Sequence, residues 1–214
     1  MPCDKIPSRE KLRCALVQKQ GEQITEKLAQ ATVAICGLGG LGSNVAINLA
    51  RAGIKKLILV DFDYVDVTNL QRQQYKASQV GTPKVLALVE NLKEIAPYVE
   101  LEAYNEKITE ENVDKLVANA DVVCEAFDNP ESKSMLVNVL LEKYPQKYIV
   151  AASGMAGTDD ANSIKTRKIS KRFYLCGDGK SDVNQGLALL APRVQICAAH
   201  PALTIIRILS GLGV

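Results

Sequence analysis

Six consecutive residues, Gly37-Leu38-Gly39-Gly40-Leu41-Gly42, constrain this chain more than any other stretch of its 214 residues. They follow the β-branched run Thr32–Cys36 and precede the helical pattern of Ser43–Ala52, which sets G-x-G-x-x-G between a strand and a helix. Glycine permits a sharp turn and lets backbone approach a phosphate, and the helix that follows offers free N–H groups and partial positive charge at its start. The alternative is a tight strand-to-helix turn with no ligand.

The surrounding pattern predicts an α/β chain with a mostly parallel, Rossmann-like sheet flanked by helices. Short runs rich in Val, Ile and Leu mark strands at Thr32–Cys36, Lys56–Asp61, Val99–Tyr104, Asp121–Ala126 and Lys147–Ala152. Val85, Leu88, Val89, Leu92 and Ile95 share one face of a helix that ends near Pro97, and Asn129-Pro130-Glu131 opens another with Leu136, Val139 and Leu140 inward. Ser163–Leu175 predicts one or two antiparallel edge strands, and Pro201–Leu212 a closing helix that buries Leu203, Ile205, Ile206 and Leu209. One domain over 1–214 is expected: a helical arm to residue 31, a core over 32–155 that holds the glycine turn, and a closing region over 156–214.

Composition narrows the partners. Twenty-six Lys and Arg against 24 Asp and Glu leave +2, too little for charge alone to argue nucleic acid or membrane. No run approaches a membrane span and the first residues lack a signal-peptide core, so the expectation is cytoplasmic. The six cysteines, at 3, 14, 36, 124, 176 and 197, form no C-x-x-C pair, and no zinc is expected.

Asp61 ends the second strand 19 residues after Gly42, where an acid accepts hydrogen bonds from ribose hydroxyls. Asp63 fits that role or the capping of the next turn. Together these imply an adenine nucleotide, NAD or ATP. Arg72, and Lys84 after Gly81-Thr82-Pro83, separate the two. A dehydrogenase needs no cation cluster here, whereas an enzyme that splits ATP must stabilise charge gathering on phosphorus. Taken singly, each is an ordinary surface cation. Asp128, after the fourth strand, suits Mg²⁺ bound to phosphate or else caps the helix at Pro130. His200 belongs to no nucleophile–acid constellation and fits a cap or core role.

G-L-G-G-L-G-S, V-D-F-D-Y-V-D-V-T-N-L-Q-R-Q, G-T-P-K and A-F-D-N, in this order, resemble the ThiF/MoeB/HesA adenylyltransferases related to ubiquitin-activating enzymes. The likeness is strong over roughly residues 10–155. The short length and Phe173–Gly179 through Ala191-Pro192-Arg193 look most like the short bacterial ThiF group, associated with thiamine biosynthesis. The resemblance implies Gly37, Gly39, Gly40 and Gly42 around the phosphates and Asp61 with Asp63 at the ribose. It implies Asn69, Arg72 and Lys84 on the triphosphate, and Asp128 on Mg²⁺ with Asn129 beside the nucleotide. An arm arginine, Arg13 or else Arg9, would reach across a homodimer. The implied reaction adenylates the terminal carboxylate of a ubiquitin-like sulfur carrier protein ending in Gly-Gly. Some members carry a sulfur-transfer cysteine; Cys176 lies in that region and Cys197 in an expected helix, but neither has neighbours that mark a lowered thiol pKa, and both also fit ordinary cysteines. Rival readings are a molybdopterin-type carrier, a tRNA-linked carboxylate, a non-catalytic scaffold and an NAD-linked oxidoreductase.

Overall fold

The computed structural model describes residues 6–181 and 186–213. One seven-stranded sheet is built from β1 (Thr32–Cys36), β2 (Lys56–Val60), β3 (Glu100–Tyr104), β4 (Val122–Glu125), β5 (Tyr148–Ala152), β6 (Lys165–Lys168) and β7 (Phe173–Gly177). The order is β3-β2-β1-β4-β5-β7-β6, with every pair parallel except β6 and β7. The five strands read from sequence are each present to within one residue at either end. The antiparallel edge expected over Ser163–Leu175 is present as the single strand β6, while its neighbour β7 joins β5 in parallel.

Helices α1 (Arg9–Gln20), α2 (Glu22–Leu28), α3 (Gly40–Arg51), α4 (Lys84–Ile95), α5 (Val113–Val117), α6 (Pro130–Lys143) and α7 (Ala191–Ser210) complete the elements. The sheet has two apolar faces, and each is covered. Leu41, Val45 and Leu49 of α3, Val85, Leu88 and Leu92 of α4, and Cys197, Ala198 and Ile205 of α7 form one core with Leu57 and Leu59 of β2. Val113 and Leu116 of α5 and Leu136, Val139 and Leu140 of α6 form the other with Ala34, Ile58 and Val123. Full burial of a leucine contributes roughly 2 kcal/mol, so these two layers supply the main driving force for the fold. The arm helix α1 buries none of its residues.

Two helices start earlier than their sequence pattern suggests. The third begins at Gly40, not Ser43, so the glycines of the motif are themselves its first turn. Their low helix propensity is overridden because the turn is so tight: a Cβ on Gly42 would overlap the Gly37 carbonyl oxygen. The last helix begins at Ala191 and runs through Pro201, which was expected to open it. Pro201 removes one backbone hydrogen bond. The 3–4 spacing of Val194, Cys197, Ala198, Pro201, Ala202 and Ile205 continues across it against the core, and that packing prevails. The same register turns Leu203 outward, 58% exposed, contrary to expectation, while Ile205 is fully buried.

From β1 the chain builds outward through β2 and β3, then crosses back to β4 on the other side of β1. That reversal opens a crevice at the carboxyl ends of β1 and β4, the place where open α/β sheets bind ligands. Among the described residues, no helix is long and apolar enough to cross a membrane.

Candidate active site

The crevice is a cavity of about 780 Å³ lined from the ends of β1, β2, β4 and β5. Its floor is the glycine turn. Gly37 has φ +92°, and a Cβ there would sit 2.8 Å from the Ala126 carbonyl oxygen, so only glycine fits between β1 and β4. Gly39 is the N-cap of α3 and Gly40 its first residue, which aims the free N–H groups of α3 into the cavity. Gly42 is buried inside the turn and does not line the cavity.

Asp61 is 8% exposed, and both of its oxygens hold backbone: Oδ2 accepts from Leu38 N at 2.6 Å and Oδ1 from Asp63 N at 2.8 Å. Burial raises its pKa, while those two hydrogen bonds and the nearby Lys84 oppose the rise. Tyr75 Oη donates to the Leu38 carbonyl at 2.7 Å, so the glycine turn is pinned from both sides. An ionised carboxylate accepts about four hydrogen bonds. Asp61 therefore braces the turn and retains capacity for a ribose.

Asp63 pairs with Lys84, Nζ to Oδ2 2.8 Å, and the lysine side chain is only 8% exposed while the aspartate is 51% exposed. Lys84 is the first residue of α4, after Pro83, and its backbone N donates to the Asp63 carbonyl at 2.9 Å. Asn69 closes a one-turn 3₁₀ segment, where its Oδ1 accepts from Asp66 N at 3.1 Å. Arg72 follows it, its Nη1 donating to the Thr68 carbonyl at 2.9 Å and its aliphatic stem lying beside Gly40. Asn69, Arg72, Lys84 and Asp63 all line the cavity.

Across the crevice, β4 ends and the chain turns into α6. The N-cap of α6 is Asn129, whose Oδ1 accepts from Ser132 N at 2.9 Å, with Pro130 in the first turn. Asp128 is thus released from capping; it lines the cavity and accepts no hydrogen bond among the described residues. No cluster of three metal-ligating side chains exists among the described residues. A lone free carboxylate fits Mg²⁺ only where substrate phosphates and water complete the shell.

Four candidate residues, Arg9, Arg13, Cys176 and Cys197, lie elsewhere. Neither Arg9 nor Arg13 lines the cavity of its own chain; Arg13, 48% exposed on α1, pairs with Glu26 at 3.2 Å and Glu22 at 3.8 Å. Cys176 and Cys197 are fully buried away from the cavity, and burial raises both thiols, Cys197 to about 12. Both are protonated at neutral pH. His200 Nδ1 lies 3.0 Å from Thr166 Oγ1, and burial lowers its pKa, which keeps the ring neutral.

Sequence reasoning missed two features. Gln73 lines the cavity at 8% exposure, and its buried Oε1 has no partner among the described residues. Its position immediately after Arg72 was the available signal. Glu125, at the end of a wholly apolar strand, is buried against Lys133; a charge there demands a partner, which the sequence does not name.

Residues 10–214 match the ThiF family. The chain belongs to that family. It is 33% identical to the molybdopterin-synthase adenylyltransferase of Haemophilus influenzae over 88% of this chain and 78% of that protein. It is 31% identical to tRNA threonylcarbamoyladenosine dehydratase 2 of Saccharomyces cerevisiae over 75% of this chain, spanning only 40% of that protein. The fold matches the crystal structure of E. coli tRNA N6-threonylcarbamoyladenosine dehydratase, TcdA, in complex with ATP: TM-score 0.85 at 20% identity, covering 97% of this chain and 98% of that one.

Proposed function

We propose that the protein adenylates a carboxylate with ATP. The observation that carries this reading is the convergence of Arg72, Lys84 and the N-terminus of α3 on the cavity into which Asp128 opens. A carboxylate oxygen of the substrate attacks the α phosphorus, the bond from that phosphorus to the α–β bridging oxygen breaks, and acyl-adenylate and pyrophosphate leave. The attacking carboxylate is already ionised at neutral pH, so no general base is needed. Catalysis is then positioning and charge neutralisation, of the order of several kcal/mol from such groups together.

Gly37 and Gly39 let the backbone approach the phosphates, with Gly40 at the head of α3. Arg72 offers a planar fork to phosphate oxygens, and Lys84 leaves Asp63 for the α or β phosphate. Asn69 and the unpartnered Gln73 supply further polar contacts, and Asn129 lies beside the nucleotide. Asp128 would hold Mg²⁺, which when bound screens the phosphate charge.

The cavity is also lined by Ser153, Gly154, Ala156, Gly179 and Ser181, small residues interspersed with Met155 and Lys180. The substrate in this reading is a ubiquitin-like sulfur carrier ending in Gly-Gly, and its thiamine type rests on the resemblance of Phe173–Gly179 and Ala191–Arg193 to the short ThiF group alone. Arg13 lies outside its own cavity, and the reading assigns it to the cavity of a second copy in a homodimer. A second reading, a tRNA-linked carboxylate, draws on the likeness to TcdA.

The test is ATP–pyrophosphate exchange with Mg²⁺ in the presence of a thiamine-type carrier, a molybdopterin-type carrier, or threonylcarbamoyl-tRNA. Exchange dependent on the thiamine-type carrier is expected. Exchange dependent on either of the others reassigns the substrate, and absence of ATP binding removes the adenylation reading altogether.

A further inference from the structure

Glu125 is the last residue of β4 and is fully buried. Its Oε1 accepts from Phe127 N at 2.7 Å, and its Oε2 takes Lys133 Nζ at 2.6 Å. Lys133 also donates to the Ala152 carbonyl at 2.7 Å, so one ammonium ties the carboxyl ends of β4 and β5 together from the first turns of α6. An ammonium has three donors, and the third finds no acceptor among the described residues. The side chain keeps 22% exposure and lines the cavity.

An ion pair that serves stability alone is replaceable by apolar packing without loss, so its placement at a cavity wall with a spare donor asks for another reason. The position supplies one. Arg72 and Lys84 approach from the segment after β2, the side of the glycine turn. Lys133 stands at the ends of β4 and β5, where Ser153 and Gly154 line the cavity. Lys180, the other cation on that side, is 70% exposed and pairs with Asp159 at 3.6 Å. An anionic carboxylate brought towards a triphosphate meets repulsion, and a cation on its own side of the reacting phosphorus offsets it.

We infer that Lys133 donates its third N–H to the carboxylate about to be adenylated. Glu125 and the Ala152 carbonyl fix the direction of that donor. The inference rests on the adenylation reading and adds the group that recognises the acid.

The experiment compares binding of a thiamine-type carrier made with a free C-terminal carboxylate and the same carrier made as the C-terminal amide. Removing Lys133 alone strands a buried charge on Glu125 and threatens the fold, so the decisive variant is the neutral pair E125Q/K133M, with K133R as the charge-conserving control. The wild type should prefer the acid over the amide by about tenfold, as for one charge-assisted hydrogen bond. The K133R chain should keep most of that preference. In E125Q/K133M the preference should fall to near unity while ATP affinity and the far-ultraviolet circular dichroism stay as in the wild type. A folded, ATP-binding double variant that still prefers the acid tenfold overturns the inference and leaves Lys133 a structural residue. A wild type that binds ATP but neither form of the carrier overturns the carrier reading itself, and the inference with it.

Discussion

Arg193 and Asp178 hold the wall of the cavity opposite the glycine turn, and their pair has a pH signature. Arg193, 5% exposed, donates through Nε to the Ala156 carbonyl at 3.0 Å and through Nη1 to the Asp159 carbonyl at 2.7 Å. Its Nη2 meets Asp178 Oδ2 at 2.6 Å. Asp178 Oδ1 in turn accepts from the backbone N–H groups of Lys180 and Ser181, both at 2.9 Å. Burial pushes the Asp178 carboxyl up, but these hydrogen bonds and Arg193 outweigh it and hold the pKa at about 2, against an ordinary 3.8. At about 1.4 kcal/mol per pKa unit, the ionised group contributes roughly 2 kcal/mol of stability. Because the folded pKa is the lower one, that contribution is complete above pH 3.8 and is lost as pH falls through about 2. The substitution Asp178→Asn removes it at neutral pH and also leaves Arg193 without its counter-charge, so a loss of about 3–5 kcal/mol is expected at pH 7. By pH 3 the wild type has itself lost about 1 kcal/mol of the difference, and the gap should narrow by that amount. Urea unfolding of both chains at pH 7, 5, 4 and 3 measures it. A gap that stays constant from pH 7 to 3 refutes the assignment of the depressed carboxyl to Asp178.

Four further outcomes follow from the site. Arg72→Ala, which removes from the fold a surface hydrogen bond to the Thr68 carbonyl and the packing of its stem beside Gly40, should abolish pyrophosphate exchange while shifting stability by no more than about 1 kcal/mol; near-normal exchange would contradict its role. Gly42→Ala should cost several degrees of melting temperature and nucleotide binding together, because its Cβ would overlap the Gly37 carbonyl oxygen; a wild-type melting curve would show that the turn yields. An equimolar mixture of Arg13→Ala and Arg72→Ala chains, co-refolded, should recover about a quarter of wild-type exchange if the arm acts across a two-fold dimer, and none if it does not. Native alkylation at pH 8 should leave Cys176 and Cys197 unmodified by peptide mass spectrometry, since burial keeps both thiols protonated; rapid labelling of either would return it to candidacy for sulfur transfer.

The parts of the fold that sequence disclosed are those in which one local pattern answers to one packing demand. Strands β1, β2, β4 and β5 are buried along most of their length, so each reads as a short apolar run, whereas the edge strand β3, with Glu100 and Glu102, is partly exposed. Helix α4 declares itself through Val85, Leu88 and Leu92, because its inward face is set by 3.6-residue spacing alone. Where two demands conflict, local pattern misleads. Pro201 reads as a helix start, yet the packing face of α7 extends through it from Val194 to Ile205. Gly40 and Gly42 read as loop, yet they form the first turn of α3, Gly40 against Val194 and Arg72 and Gly42 against the Gly37 carbonyl.

The same division runs through the cavity. Its nucleotide half is written in short segments: Gly37 to Gly42, then Asp61 to Arg72 and Lys84, where each residue lies within a turn or two of the element that aims it. The opposite half depends on partners far apart in the chain. Lys133 reaches a carbonyl 19 residues on, and Arg193 reaches Ala156 37 residues back. Neither contact leaves a motif, because a lysine or arginine in a first helical turn is ordinary until the fold brings a buried acid or an orphan carbonyl to it. The candidate phosphate site is legible in this sequence because the turn that forms it is a matter of backbone geometry, which glycine encodes locally. The proposed carboxylate contact from Lys133 is not legible, because its direction is fixed by Glu125 and the Ala152 carbonyl, partners that only the fold brings to it.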